Sequence, residues 1–229
     1  MTTTTDAPSY PANWREQREK LADLVGRRVS ALQTQYCRTD PVPSARAALA
    51  QLRRAALGLG AAGAITSTDV FAVDTHTHVP EDCYPLNARG NPIVLDDEPT
   101  RAERAVHTAM TLYAVHQQSR TEKMHGVGER PGMAFAKLAW RENTSEEAVR
   151  RRFGALVTAT TFAALSHHLR TMTRLLRDGR VPMDYGRLAS DLFTWQTTRG
   201  RDRVRLSWSR DFENHIQPRS DKDKPKEDQ

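Results

Sequence analysis

The feature of this sequence that most constrains its fold is the spacing of apolar side chains, which recur every three or four residues over most of the chain. From about residue 13 to residue 32, the apolar positions are Leu21, Leu24, Val25, Val29 and Leu32. That period places them on one face of an amphipathic helix. Alternating apolar and polar residues, which are typical of a strand, are almost absent. The sequence therefore predicts an all-α protein.

Local signals predict where the next helices begin and end. A second helix is expected to open after Pro43, with Ser44 as its N-cap, and to end at Gly58. Thr100 and Glu103 have the spacing of a capping box, in which each residue satisfies a backbone N–H of the other, so a third helix is predicted there. Its predicted inner face comprises Ala102, Ala105, Val106, Ala109, Leu112, Tyr113 and His116.

Five more helices are predicted after residue 130. A short helix is expected over 133–141, and a second capping box, Thr144 with Glu147, is expected to open the next one. Apolar stripes then predict three further helices, which lie around 162–176, 185–195 and 204–212.

The sequence also predicts a division into domains. Glycine and proline between residues 126 and 132 predict a short connection between two small helical bundles. The first bundle spans 13–130 and contains an irregular insertion, 58–99, in which VFAV is interpreted as a short strand. The second spans 131–216. Residues 1–12 are expected to form a flexible tail, and the charged residues 217–229 a disordered one.

Composition narrows the classes of protein. The chain has 34 Lys and Arg against 28 Asp and Glu, a net charge of +6. It has no apolar run long enough to span a bilayer. Its first residues lack the basic-then-apolar pattern of a signal peptide, so a cytoplasmic protein is expected. Cys37 and Cys83 form no CxxC motif, which argues against a disulfide framework or a thiolate zinc site.

One motif suggests metal chemistry. In DTHTH, Asp74, His76 and His78 could share a divalent metal at the end of a strand, as in metal-dependent hydrolases built on (β/α)₈ barrels. Such a barrel needs far more alternating strands and helices than the helical remainder of the chain provides. Exposed histidines in a polar loop are the preferred interpretation. We predict no catalytic residue, no metal site and no cofactor, and keep the hydrolase as the alternative.

The arginines form a stronger pattern. They occur in short runs at 53–54 and 150–152, in the helical stripe Arg170, Arg174 and Arg177, and densely from 199 to 210. Guanidinium groups on rigid helices can follow a phosphate backbone without reading sequence. The alternative is a set of solvated helix faces, with an arginine content that reflects a high-GC genome. A free-standing DNA-binding protein is disfavoured, because no convincing helix-turn-helix signature is present.

The order of several segments resembles a known family. The segments are ARAALAQLRRA, TLYAVHQQSRTEKMH, RRRFGALVTAT, HHLRTMTRLLR, VPMDYGRLASDLFTW and RVRLSWSRDF. In that order they resemble the small subunit (Cse2/CasB family) of the type I-E CRISPR surveillance complex, Cascade. The resemblance extends from about Ala45 to Phe212, and residues 60–99 have no counterpart in it.

The resemblance implies a non-catalytic, two-bundle helical subunit. Its implied partners are the backbone and large subunits of Cascade, a second copy of itself, the hybrid of crRNA and target DNA, and the displaced DNA strand. The nucleic-acid-binding residues that it implies are Arg53, Arg54, Arg101, Arg104, Arg151, Arg152 and Arg174, together with Arg199, Arg201 and Arg203 in a basic loop before the last helix.

The segment from Leu112 to Gly126, LYAVHQQSRTEKMHG, runs from an apolar helical face into a cluster of polar and basic side chains. Because His116 falls on the apolar stripe, we expect it to be buried in the core and not to act as a base. The segment is therefore predicted to be a buried helix whose polar end supports a loop. Arg120 and Lys123 are expected to face a neighbouring subunit or a phosphate.

Overall fold

A computed structural model describes residues 13–58, 76–84, 86–87, 89–93, 98–141 and 144–216. These residues form eight α-helices: α1 Trp14–Tyr36, α2 Pro43–Gly58, α3 Arg101–His116, α4 Pro131–Lys137, α5 Glu146–Val157, α6 Phe162–Asp178, α7 Tyr185–Trp195 and α8 Thr198–His215. In the same ranges, pairing between extended segments is limited to two isolated bridges, Leu86 with Pro92 and His125 with Met183. The all-α prediction is confirmed. No helix in the described ranges is both long and apolar enough to cross a membrane.

The capping box at the start of α3 is confirmed. The backbone N–H of Glu103 donates to the Thr100 hydroxyl at 3.2 Å, and the backbone N–H of Thr100 donates to the Glu103 carboxylate at 2.6 Å. Two of the N–H groups that a helix start leaves unpaired are thereby satisfied. The same carboxylate accepts a hydrogen bond from the Tyr84 hydroxyl at 3.0 Å, which ties the irregular segment before the helix to its first turn.

Three other predicted helix starts are wrong by one or two residues. Helix α5 is capped by Ser145, whose hydroxyl accepts from the backbone N–H of Ala148, so the predicted box between Thr144 and Glu147 does not form. Helices α2 and α4 begin at the prolines Pro43 and Pro131. Proline suits a first helical position, because its fixed φ is helical and the N–H that it lacks would be unpaired there. Ser44 therefore lies inside α2.

Helix α3 is the centre of the fold and is more deeply buried than its sequence indicates. Every residue from Ala105 to His116 is buried, including the polar side opposite the predicted apolar face. The hydroxyl of Thr111 donates to the carbonyl oxygens of His107 and Thr108 on its own helix, at 2.8 and 3.1 Å. Because this hydroxyl is satisfied locally, it can be buried without a partner from another helix.

Helices from both sides of the 126–132 segment pack on one another. Helix α7 lies against α1 and α3, and α6 also lies against α3. The rings of Trp14 in α1 and Phe193 in α7 stack with centroids 4.4 Å apart. Buried apolar side chains from all eight helices belong to one cluster. The division into domains at 13–130 and 131–216 stays a prediction.

Helix α1 holds the described part of the irregular insertion. The guanidinium of Arg28 donates to the backbone carbonyls of His76 and His78, at 2.9 and 2.6 Å. The amide of Gln17 donates to the Tyr84 carbonyl at 3.0 Å. A short 3₁₀ turn, Glu81–Cys83, lies between these anchors. The VFAV segment and Asp74 lie outside the described residues, as do the predicted tails 1–12 and 217–229.

We expect Gly132→Ala to lower the free energy of unfolding by about 1–3 kcal/mol, the usual cost of overpacking a tight contact. A Cβ at this position would overlap the Trp208 carbonyl oxygen and lie 2.8 Å from the Cβ of Asp211. Helices α4 and α8 would have to separate. Urea denaturation followed by circular dichroism measures the change.

The matched control is Gly154→Ala in α5, where a Cβ would meet nothing within 4 Å. Alanine there should raise stability by about 0.5–1 kcal/mol, because it restricts the unfolded chain and favours the helix. If Gly132→Ala were as stable as Gly154→Ala, the close approach of α4 and α8 would be wrong.

Candidate nucleic-acid interface

The ten predicted arginines lie on five helices and differ in exposure. Arg53, Arg104 and Arg201 are half-buried. The exposed ones are Arg54, Arg101, Arg151, Arg152, Arg174, Arg199 and Arg203. A helix holds the backbone of an exposed arginine in a fixed position, while its guanidinium group extends into solvent. Such a group can donate hydrogen bonds to a phosphate.

Ion pairing separates these arginines from others in the chain. Of the ten, Arg104 alone forms an ion pair with a carboxylate of the described residues, to Glu98 at 3.1 Å. Arg150, by contrast, contacts both Glu146 and Glu213 at 2.8 Å. Nine of the predicted cations therefore form no ion pair with a described acid, which favours contact with an anionic partner.

The predicted loop that carries Arg199, Arg201 and Arg203 is wrong, because these residues lie in the first turns of α8. The Thr197 hydroxyl caps this helix by accepting from the backbone N–H of Gly200 at 3.1 Å. Glycine at position 200 permits a close approach to α7, because a Cβ at this position would overlap the Thr194 carbonyl oxygen. With 3.6 residues per turn, Arg199 and Arg203 share one side of the helix and Arg201 takes the other.

Arg201 is held by an aromatic ring. Its guanidinium carbon lies 4.5 Å from the ring centroid of Trp195, the last residue of α7, in a cation–π contact. The neighbouring Gln196 donates from its amide to the Arg101 carbonyl at 2.8 Å. The junction of α7 and α8 is thus tied to the start of α3, and Arg101 comes into the same region as Arg199 and Arg201.

Two further arginines, which the sequence did not predict, join Arg203. Burial lowers the pKa of the Arg18 guanidinium, and the nearby charges of Arg187 and Arg203 lower it further, whereas Asp191 raises it. Arg187 pairs with the fully buried Asp191 at 3.1 Å. We name this group, Arg18, Arg187, Arg203 and Asp191, the Asp191 cluster. Arg18 and Arg187 lie beside the Asp191 carboxylate, and Arg203 lies close to Arg18.

The other predicted arginines form separate groups. Arg151 and Arg152 project from α5, and Arg152 also donates to the Ala148 carbonyl one turn earlier at 3.3 Å. Arg174 on α6 lies near Arg170, whose pKa is lowered by burial and by the charge of Arg174. Arg53 and Arg54 lie on α2, which packs against α3. The described contacts do not join these groups to those at the start of α8.

The segment from Leu112 to Gly126 is, as predicted, the buried end of a helix followed by a supported loop. Burial lowers the pKa of His116 to about 3, and its Nδ1 lies 2.9 Å from the Tyr185 hydroxyl, so the imidazole is a neutral core group at pH 7. The buried Gln117 amide donates to the carbonyls of Arg120 and Glu122, and its oxygen accepts from the backbone N–H of Met124. Gln117 therefore holds the loop that follows α3.

The alternative metal site gains no support. Among the described residues, no group of three or more His, Cys, Asp and Glu side chains is placed to hold a metal ion. His76 and His78 contribute backbone carbonyls to Arg28, as described above. Asp74 lies outside the described residues, so the complete motif is not defined by the structure.

Comparison with known proteins agrees with the fold. A family model described as CRISPR-associated protein Cse2 matches residues 48–212. A solved structure, the crystal structure of CasB from Thermobifida fusca, is 33% identical to this chain with a TM-score of 0.60. The match covers 84% of this chain and 97% of that one. Among curated proteins the comparison finds no match. Because the family model matches well over half of the sequence, the chain belongs to the CRISPR-associated Cse2 family.

Proposed function

We propose that the protein is the non-catalytic small subunit of a type I-E CRISPR Cascade complex, in which it binds nucleic-acid backbones without sequence preference. The observation that carries the proposal is the set of nine predicted arginines that form no ion pair with a described acid, on helices of a chain that belongs to the Cse2 family. The arrangement suits phosphate oxygens, because guanidinium groups donate paired hydrogen bonds to them.

A surface that binds phosphates would be useful when a guide RNA opens a DNA duplex, because of the free energies involved. Exchanging a DNA duplex for an RNA–DNA hybrid is nearly balanced in free energy, so a few contacts to the backbone can favour the opened state. Backbone contacts read no sequence, and the surface would therefore serve every guide equally. Its role is to stabilise the target strand and the displaced strand of the R-loop in antiviral defence.

The proposal includes partners. We propose that the protein lies beside a second copy of itself and contacts the backbone and large subunits of Cascade in the cytoplasm. The ten predicted arginines would then divide between nucleic acid and protein neighbours. Those at the start of α8, together with Arg101, are our first choice for nucleic acid, because Arg101, Arg199 and Arg203 are exposed and Gln196 ties the start of α3 to the junction that precedes α8.

Changing Arg101, Arg199 and Arg203 together to Ala should weaken binding of single-stranded DNA about tenfold at low salt. Three lost phosphate contacts should also reduce the slope of log affinity against log salt concentration by about 2. Fluorescence anisotropy of a labelled oligonucleotide, repeated over a salt series, measures both. Arg201 is left unchanged because it packs on Trp195.

The matched control changes Arg15, Lys20 and Arg150 to Ala, which removes the same charge from residues that are already paired with carboxylates. It should bind nearly as the unchanged protein does. Equal losses in the two variants would mean that net charge alone governs binding. Absence of binding by the unchanged protein at low salt would overturn the proposal.

A further inference from the structure

A hollow of about 510 Å³ lies away from the start of α8, between the 3₁₀ turn Leu138–Trp140, the start of α5 and the end of α6. Its lining combines three kinds of side chain. Leu138, Val149 and Leu175 supply apolar surface, Trp140 supplies an aromatic ring, and the three cations are Arg141, Arg152 and Arg180. The function proposed above uses only Arg152 of these residues.

Trp140 is unusual among the tryptophans of the chain. It is 40% exposed, whereas Trp14, Trp195 and Trp208 are 7% exposed or less. Its indole N–H donates to the Ile216 carbonyl at 3.0 Å. That bond fixes the ring at the edge of the hollow and satisfies its polar atom. An exposed aromatic ring with a fixed orientation loses little conformational freedom when a planar group stacks on it.

The charges around Trp140 favour an anion. Asp178 is the one acidic residue in the lining, and it already pairs with Arg177 at 3.0 Å. Arg141 donates toward the Arg180 carbonyl at 3.5 Å, which draws these two arginines to the same side of the hollow. Arg180 also contacts Glu122 at 3.2 Å, so its charge is partly balanced from outside the hollow.

We propose that this hollow binds one nucleotide unit of a single-stranded nucleic acid, with the base stacked on Trp140 and the adjoining phosphates on Arg141, Arg152 and Arg180. Apolar walls and an aromatic ring accept a base, and the guanidinium groups accept phosphate oxygens. A base-paired duplex does not fit, because its bases are already covered by their neighbours. This inference rests on the proposed function and adds a place on the subunit, and a stacking contact, by which a single strand is held.

The test compares two probes of equal length and charge, an oligothymidylate and an abasic oligomer with the same phosphates. Stacking should quench the emission of Trp140, and the other three tryptophans are too buried to be reached by a base. We expect quenching by the oligothymidylate and little by the abasic oligomer. Trp140→Phe, which preserves the aromatic platform, should abolish the quenching while leaving affinity nearly unchanged.

Trp140→Leu removes the platform and should weaken binding of the oligothymidylate about five- to tenfold, but not binding of the abasic oligomer. Circular dichroism establishes that the variant is folded. Quenching that persists in Trp140→Phe, or tight binding of both probes without quenching, would overturn the inference and leave the proposed function intact. Failure of the unchanged protein to bind either probe would overturn both.

One outcome would assign the hollow to a protein neighbour. If Trp140→Leu bound both probes as the unchanged protein does but no longer co-purified with the assembled complex, the occupant would be a subunit and the inference would be wrong. Comparing oligouridylate with oligodeoxyuridylate distinguishes RNA from DNA as the strand, because the 2′-hydroxyl is then the only difference between the probes.

Discussion

Replacing Asp191 with alanine is expected to lower the free energy of unfolding by about 3–5 kcal/mol, the cost of removing one partner from a buried charged network. The Asp191 carboxylate is 2% exposed. It accepts from the indole N–H of Trp208 at 2.8 Å and pairs with Arg187 at 3.1 Å. Alanine would leave a buried indole N–H without an acceptor and would leave the cations of the Asp191 cluster without their carboxylate. Urea denaturation monitored by circular dichroism measures the loss.

Two further variants show whether the loss of stability comes from the missing charge or from the missing hydrogen-bond acceptor. Asp23→Ala removes an exposed carboxylate from α1 and should change stability by less than about 0.5 kcal/mol. Asp191→Asn retains an oxygen for Trp208 but removes the charge. Burial raises the pKa of Asp191, which means that its charged form is costly in the fold, so asparagine should lose less than alanine does. A loss in Asp191→Ala no larger than that in Asp23→Ala would contradict the network.

The same cluster links stability to the proposed function. Arg203 is among the arginines proposed to bind phosphate, and it lies close to Arg18, which shares Asp191 with Arg187. The carboxylate offsets part of the repulsion between Arg18 and Arg187. If Arg203 binds phosphate as proposed, Asp191 would therefore hold two further cations beside that contact.

The predicted helices are largely confirmed, because their signals are local. Helix α6 illustrates this: its apolar stripe and the Asp178–Gly179 ending are read directly from the sequence, and the helix spans Phe162–Asp178. The wrong start of α5 has a different cause, which the sequence does not reveal. Thr144 and Ser145 are adjacent hydroxyl residues of similar capping strength, and only the path of the chain decides that Ser145 caps α5.

The first turns of α8 could not be predicted from apolar spacing. They contain no large apolar side chain before Val204, and the stretch from Arg199 to Arg203 therefore has no helical stripe. The family resemblance implied a loop here. The structure shows instead that Gly200 permits close contact with α7, which is a tertiary reason and leaves no periodic signal.

The sequence predicts which arginines belong to the candidate site, but it does not predict how they are arranged in space. The sequence identifies arginine-rich groups, which contain eight of the ten predicted residues, and all ten are exposed or half-buried. It could not reveal that Arg18 lies beside Arg203, because the two are far apart along the chain. The spacing of Arg187 and Asp191, four residues apart on one helix, was the one local signal for the Asp191 cluster, and it is a common spacing for any helical ion pair.

The free energy of unfolding is expected to fall by about 2 kcal/mol between pH 7.5 and pH 5, and by about 4 kcal/mol by pH 3, because of His116 alone. Burial lowers the pKa of this histidine to about 3 in the fold, against an ordinary value of 6.5 in the unfolded chain. Below pH 6.5 the unfolded state therefore binds a proton that the folded state rejects. The stability is fully present above pH 6.5 and is lost as the pH falls toward 3.

The variant that tests this is His116→Gln, whose neutral amide can still meet the Tyr185 hydroxyl but does not titrate. Its stability should fall less between pH 7.5 and pH 5 than that of the unchanged protein, when both are measured by urea denaturation. The pKa of His125 is also lowered by burial, so part of the pH dependence should remain. The control is His167→Gln, which changes an exposed imidazole on α6 and should leave the pH dependence intact. If His116→Gln lost as much stability on acidification as the unchanged protein, the proton would bind elsewhere, and the neutral core imidazole at the end of α3 would not be the group that limits acid stability.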